Sequence, residues 1–277
     1  MTVARFGVVV PAWNEADVLP ALLASLLAQE GVELDVVIVA NGCADATAEV
    51  ARAMIGAFAA AGHRLQVVEI VEPSKPAALR AGDAAVATLP KAYVDADVAL
   101  SPTALQAVAA PLDTSHPRAA APRLRFAAPA NTARLAAFVE SASPFRDDVV
   151  GGGFYAVNAA GRARWGDFPD LVADDAFVLG LFARSERRLV RTAEFRCRFP
   201  DRQRLPAVLA RWEFGRRQAA EAGSPGPPSR RVFAILQALA QPARWPQAWQ
   251  WFRLKRAARA YAAGRSAADI GWAHADR

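Results

Sequence analysis

Apolar positions in the first hundred residues fall into short Val-, Ile- and Leu-rich runs. Each run is followed by a cluster of Asn, Asp, Gly or Pro and then by apolar residues at helical spacing. The run Arg5-Phe6-Gly7-Val8-Val9-Val10 is apolar on both faces, which predicts a strand inside a parallel sheet and not at its edge. Asn14 is placed to cap a helix carrying Leu19, Leu22, Leu23, Leu26 and Leu27, with Pro20 tolerable in the first turn. Residues 34–39 predict a second buried strand, Asn41-Gly42 a turn, and Asp45 or Thr47 the start of a helix reaching Ala60. Residues 65–71, 76–86 and 92–94 continue as strand, helix and strand, the last ending on Asp95. Three successive β-α units call for parallel strands joined by crossover helices, hence a doubly wound α/β sheet.

Beyond residue 100, Ser101-Pro102 predicts the cap and first-turn proline of a helix to about Ala110. Residues 119–126 read as a strand, 130–142 as a helix, and Gly151-Gly152-Gly153 as a turn opening into a strand over 154–157. Asp174-Asp175 starts a helix with Phe177, Val178, Leu181 and Phe182 on one face. Past Pro200 the pattern is helical, with linker composition from Gly223 to Ser229. The expected organisation is a larger α/β domain over 1–222 and a helical extension over 223–277. A hydrophobic fraction of 53% over 277 residues supports a real core and excludes disorder, collagen and a coiled coil. The absence of a long uninterrupted apolar run and of a signal-peptide pattern at the first residues leads to the expectation of a soluble cytoplasmic protein. Cys43 and Cys197 are too far apart for a zinc site, and His63, His116 and His274 are isolated, so a general base is expected to be a carboxylate.

In open α/β sheets ligands bind at the carboxyl ends of the strands, which gathers the loops 11–15, 41–45, 72–75 and 95–97 into one candidate site. None carries G-x-G-x-x-G or G-x-x-x-x-G-K-[ST], which disfavours a dinucleotide fold and a P-loop. Asp95 and Asp97 can share a divalent cation, or divide between a cation and a sugar hydroxyl. Mg²⁺ favours few carboxylates plus substrate phosphate oxygens. A solvated turn is the bland reading of the same pair. Gly151, Gly152 and Gly153 read either as a plain turn or as backbone that an acceptor or diphosphate can approach closely.

The ordered segments VVVPAWNEA (8–16), VVIVANGCADAT (36–47), KPAALRAGD (75–83), YVDAD (93–97), GGGFYAVNAAGR (151–162) and ADD (173–175) together resemble the family 2 glycosyltransferases, over about residues 3–215. The resemblance implies a GT-A fold, a Rossmann-like mixed sheet flanked by helices. It also implies an inverting, metal-dependent transfer of a sugar from a nucleotide diphosphate donor to an acceptor hydroxyl. By the same resemblance Pro11, Ala12 and Glu15 line the nucleotide pocket, Asn41 reads the base or ribose, and Lys75 sits near the base edge or diphosphate. Asp95 holds the ribose or sugar, Asp97 coordinates Mg²⁺ or Mn²⁺, and Asp175, with Asp174 beside it, is the general base. From the residues themselves, with Phe154 and Tyr155 following, Gly151, Gly152 and Gly153 are expected to form an acceptor-side wall in preference to a plain turn. Arg211-Trp212 resembles the end of a Q-x-x-R-W motif, although Val208 stands where Gln would be, and reads equally as a surface arginine beside a core tryptophan. Ala40, Cys43 and Arg80 depart from the residues usual in the family. Chemically, inversion needs a carboxylate on the face of the sugar opposite the leaving diphosphate, and adjacent carboxylates can raise one partner's proton affinity.

Two other functions compete. A haloacid-dehalogenase-type phosphatase using Asp95 as nucleophile is disfavoured, because its D-x-D belongs after an early strand and Ala99 stands where Thr or Val is expected. The alternative is a non-catalytic nucleotide-sugar-binding or scaffold protein that keeps the fold. Charge adds one feature: residues 201–277 hold 14 Lys+Arg against 5 Asp+Glu, together with Trp212, Trp245, Trp249, Trp251 and Trp272. A basic, Trp-bearing helix over 244–263 suits an anionic membrane interface and a lipid-linked acceptor, or else packing on the catalytic domain or a second subunit. Nucleic acid is not an expected partner.

Overall fold

The computed structural model describes residues 4–142, 144–224, 244–263 and 265. Its strands are β1 (Ala4–Ala12), β2 (Val32–Asn41), β3 (Arg64–Ile70), β4 (Lys91–Val94), β5 (Ala99–Leu100), β6 (Ala119–Ala127), β7 (Phe154–Val157) and β8 (Arg187–Arg198). They form one mixed sheet in the order β3-β2-β1-β4-β7-β6-β8-β5. β1 runs parallel to β2 and β4, and β2 parallel to β3, with Val8 opposite Val36 and Ala92. This central position explains why Val8, Val9 and Val10 are all buried: helices cover both faces of such a sheet, so neither side of the strand meets water. β7 pairs antiparallel with β4 and β6, and β5 antiparallel with β8. The expected GT-A-type sheet flanked by helices is therefore present.

The helices are α1 (Leu19–Leu27), α2 (Thr47–Ala53), α3 (Ile55–Ala60), α4 (Lys75–Ala85), α5 (Ala104–Leu112), α6 (Ala133–Ser141), α7 (Ala159–Arg162), α8 (Asp174–Gly180), α9 (Leu205–Glu221) and α10 (Trp245–Ala262). The single helix expected from residue 45 to Ala60 is divided at Met54. α5 starts later than its Ser-Pro signal suggests. The Ser101 hydroxyl accepts from the Glu194 amide and the Ser101 carbonyl accepts from the Gln29 side chain, so Ser101 serves neighbouring elements instead of capping. β8 was not expected. Its Arg188, Arg191, Arg196 and Arg198 face outward while Ala193, Phe195 and Cys197 are buried, and so many charges conceal the alternation of a strand.

By its internal contacts the chain divides into two units. The sheet unit comprises Met1–Leu124, Gly151–Asp170 and Phe182–Cys197, and the helical unit Arg125–Val150, Leu171–Leu181 and Arg198–Arg277. In the sheet unit, Tyr93 stacks on Tyr155 with ring centroids 5.0 Å apart and meets the edge of Phe168 at 5.2 Å. In the helical unit, Leu135, Val139, Phe199, Leu205, Leu209 and Ala258 form a core against which Trp212, Trp251 and Leu254 pack. The expected boundary at 222/223 adjoins residues 225–243, which lie outside the described residues, as does most of the expected linker and Trp272. Among the described residues no helix is long and apolar enough to cross a membrane.

Candidate functional site

The chain runs outward from β1 through β2 to β3, then returns to β4 on the other side of β1. That reversal makes the carboxyl ends of β1 and β4 a topological switch point, the place where open α/β sheets bind ligands. The loops at this end are tied to one another by side chains. Asn14 adopts a left-handed backbone (φ 51°), which Asn tolerates, and its Oδ1 accepts from the Ala44 amide at 2.7 Å. The Glu15 amide donates to Thr47 Oγ1 at 2.8 Å, and the Ala16 amide to Asp45 Oδ2 at 3.1 Å. Asn14 is thus a bridge between the first two loops and not the cap of α1, which has no side-chain cap. The Cys43 thiol joins the same web, accepting from the Asn14 amide at 3.3 Å and donating to the Ala12 carbonyl at 3.4 Å.

Pro11 and Ala12 are buried at the end of β1, while Glu15 is half-buried. Asn41, expected to read a base or ribose, is wholly buried, and its amide donates to the Ala12 carbonyl at 2.7 Å. Its side chain therefore fixes the end of β1. Lys75 opens α4, capped by Ser74, whose hydroxyl accepts from the Ala77 amide. Lys75 Nζ donates to Asp95 Oδ1 at 2.7 Å, joining the third loop to the D-x-D turn.

That turn is tight. The Val98 amide returns to the Asp95 carbonyl at 3.2 Å, and the Asp95 amide donates to the Gly153 carbonyl at 2.9 Å. Ala96 is buried, whereas Asp95 and Asp97 remain half-exposed. Gly151, Gly152 and Gly153 all have positive φ, and a Cβ on Gly153 would lie 2.8 Å from Val98 Cγ2. The glycine run is thus required by its own geometry and by close approach to the acidic turn.

Beneath the turn lies a polar cluster that sequence reasoning missed. Asp83, at the C-terminal end of α4, accepts from Tyr93 Oη at 2.8 Å and Arg162 Nε at 2.7 Å and pairs with Lys91; the Asp83 and Lys91 side chains are only 9% and 5% exposed. Burial pushes the Asp83 carboxyl up, but hydrogen bonds from Arg162, Lys91 and Tyr93 outweigh it and hold the group below the usual carboxylate value. Burial and the Asp83 charge push the Tyr93 phenol far up. The available signal was that Asp83 and Arg162 end two of the quoted segments with opposite charges. Arg80 donates to the Phe168 carbonyl at 2.6 Å and to Asp170 at 2.9 Å, so it secures the segment after β7.

Residues 4–144 match the family described as "Glycosyltransferase like family 2". The chain belongs to this family. No curated protein matches it by sequence. Among solved structures, this family 2 chain is similar to a mannosyltransferase, PcManGT from Pyrobaculum calidifontis, in complex with GDP-Man and Mn²⁺. That match has 22% identity and a TM-score of 0.58, over 99% of this chain and 78% of that one. It is also similar to S. aureus TarS 1-349 in complex with UDP, with 16% identity and a TM-score of 0.53, over 76% of this chain and 64% of that one. The chain spans 39% of the longer S. aureus TarS structure. At these identities the likeness establishes the GT-A fold.

Within this family 2 fold, the sheet unit holds Pro11, Ala12, Glu15, Asn41, Lys75, Asp95, Asp97 and Gly151 to Gly153, and the helical unit holds Asp174, Asp175, Arg211 and Trp212. Asp174 is buried at the start of α8, whereas Asp175 is half-exposed and accepts from the Ala176 amide at 2.7 Å. α9 anchors this turn: Gln218 Oε1 accepts from the Val172 amide at 3.1 Å, and the helix approaches so closely at Gly215 that a Cβ there would lie 2.5 Å from Ala173 Cβ. Trp212 lies against the helical unit's core. Among the described residues no group of three or more His, Cys, Asp or Glu could hold a metal by itself. Two half-exposed carboxylates, Asp95 and Asp97, do fit a hard cation that takes its remaining ligands from a diphosphate and water.

Proposed function

We propose that this protein transfers a sugar, with inversion, from a nucleotide diphosphate donor to an acceptor hydroxyl. The observation that carries the reading is the acidic turn 95–97 at the switch point of the sheet, tied on one side to Lys75 and on the other to the glycine run. The loops after β1 and β2 receive the nucleoside, with Asn41 holding the end of β1 in place. Lys75 supplies positive charge at the phosphates and holds the Asp95 side chain in place. Asp95 accepts from the donor's sugar or ribose hydroxyls, and Asp97 holds the cation. Mg²⁺ or Mn²⁺, when bound there, neutralises charge on the departing diphosphate. Asp175 takes the acceptor proton; its greater exposure relative to Asp174 favours it for that role. The ligands of two structural neighbours, GDP-Man with Mn²⁺ in one and UDP in the other, support a nucleotide diphosphate donor and a divalent cation.

The test is a thermal-shift screen of UDP, GDP, dTDP and CDP and their sugars with and without Mn²⁺, since binding to the folded state raises apparent stability. One nucleotide is expected to give a metal-dependent shift that Asp97→Ala abolishes. Asp175→Asn should keep that shift and lose sugar transfer by on the order of a hundredfold or more. A metal response in Asp97→Ala equal to wild type removes the metal assignment, and undiminished transfer by Asp175→Asn removes the base. A shift without any transfer or donor hydrolysis favours the non-catalytic binding protein.

A further inference from the structure

α10 has two faces of different character. Trp251, Leu254 and Ala258 turn inward and pack with the core formed by α6 and α9. On the same side Glu213 of α9 accepts from Arg259 Nε at 3.1 Å and pairs with Lys255, which fixes the helix's rotation. The opposite stripe, at i, i+4, i+7 and i+11, is Trp245, Trp249, Phe252 and Arg256. Its three aromatic residues are 51%, 63% and 55% exposed, and the rings of Trp249 and Phe252 stack with centroids 6.2 Å apart. Arg253 and Arg256 are exposed beside them. The structure thus sorts three aromatics outward among the arginines, while Trp251 and Leu254 pack inward.

Large aromatics exposed side by side on one helix face are costly in water, which marks such a face for a partner. The chemistry of that partner follows from charge. Between Glu221 and Asp269 the chain carries eight Arg or Lys and no Asp or Glu. Trp and Phe flanked by arginines match the boundary between lipid headgroups and acyl chains, where the rings enter the apolar layer and the guanidinium groups reach anionic phosphates. We infer that the outer face of α10 docks on a membrane surface rich in anionic lipid, lying in its plane. This surface is independent of the donor chemistry proposed above, and a failure of either leaves the other standing.

Co-sedimentation of the full chain with phosphatidylcholine vesicles, with and without about one-third phosphatidylglycerol, tests it. The wild type is expected to pellet with the anionic vesicles, and added salt to weaken that binding. W249S/F252S should lose most of the binding, and R253E/R256E should weaken it by roughly thirtyfold or more. All four positions are exposed, so both variants should keep the wild-type unfolding midpoint, which circular dichroism checks. Equal binding to neutral and anionic vesicles, no pelleting by wild type, or variants that pellet like wild type overturn the proposal. So does a wild-type dimer in light scattering that W249S/F252S dissociates in the absence of lipid binding, since the face would then belong to a second copy.

Discussion

At the scale of single residues, Gly153 carries the most demanding geometry at the acidic turn. Its φ of +99° lies where a side chain is strained, and a methyl group would meet Val98 Cγ2 at 2.8 Å while its carbonyl receives the Asp95 amide. Gly153→Ala is therefore expected to lower stability by about 1–3 kcal/mol. It should also blunt the metal-dependent nucleotide shift, because relief of the clash moves the loop that holds Asp95. Denaturant unfolding and the thermal-shift screen measure the two effects, and wild-type values in both would show the turn to be more plastic than its contacts indicate. Much of this site was legible in the sequence: the acidic turn, Lys75 and the glycine run were each singled out, and they sit together in the sheet unit. The roles of Asn14 and Asn41 were not legible, because an Asn near a strand end can cap, bridge or read a ligand. Only the partner amide or carbonyl decides among these.

At the scale of elements, buried parallel strands announced themselves because a strand covered on both faces has no polar positions to obscure it. β8 did not, since its outward positions are arginines, and β5 is only two residues long. The start of α8 was visible as an acidic pair, but what holds it was not: the close approach of α9 at Gly215 is a tertiary fact. Gly215→Ala sets two effects against each other. Helix propensity favours Ala by about 1 kcal/mol, whereas overpacking a close contact costs about 1–3 kcal/mol. A Cβ–Cβ distance of 2.5 Å is shorter than real contacts allow, so the clash should win. The variant is expected to be less stable than wild type and, on the proposed assignment of Asp175, to lose transfer while keeping its nucleotide shift. A gain in stability would mean that the segment before α8 yields freely and that α9 does not fix the position of Asp175.

At the scale of the whole molecule, stability should fall in two steps as the solution is acidified, and the groups responsible can be named. His63 sits after α3, and its Nδ1 accepts from the Leu34 amide at 3.3 Å, a bond that needs an unprotonated nitrogen. Burial lowers its proton affinity from the ordinary value of 6.5, with the Glu33 charge opposing in part. The unfolded chain then binds more protons than the folded one below about pH 6.5, so this contribution is present above that pH and is lost as pH falls through the lowered value. Asp83 and Glu213 are held below their ordinary values of 3.8 and 4.5, because hydrogen bonds and charges from Arg162 and Lys91, and from Lys255, outweigh the opposing effect of burial. By the same sign, their contributions are present above those values and are lost only in stronger acid. Thermal unfolding between pH 7.5 and 3 should therefore show a shallow decline beginning near pH 6.5 and a steeper one below about pH 4.5. His63→Asn, which keeps an acceptor for the Leu34 amide without a titrating ring, should flatten the first decline and leave the second unchanged. A first decline of full size in that variant would assign it to groups other than His63. A flat midpoint down to pH 5 in the wild type would mean that the Leu34 bond opens on protonation without weakening the fold.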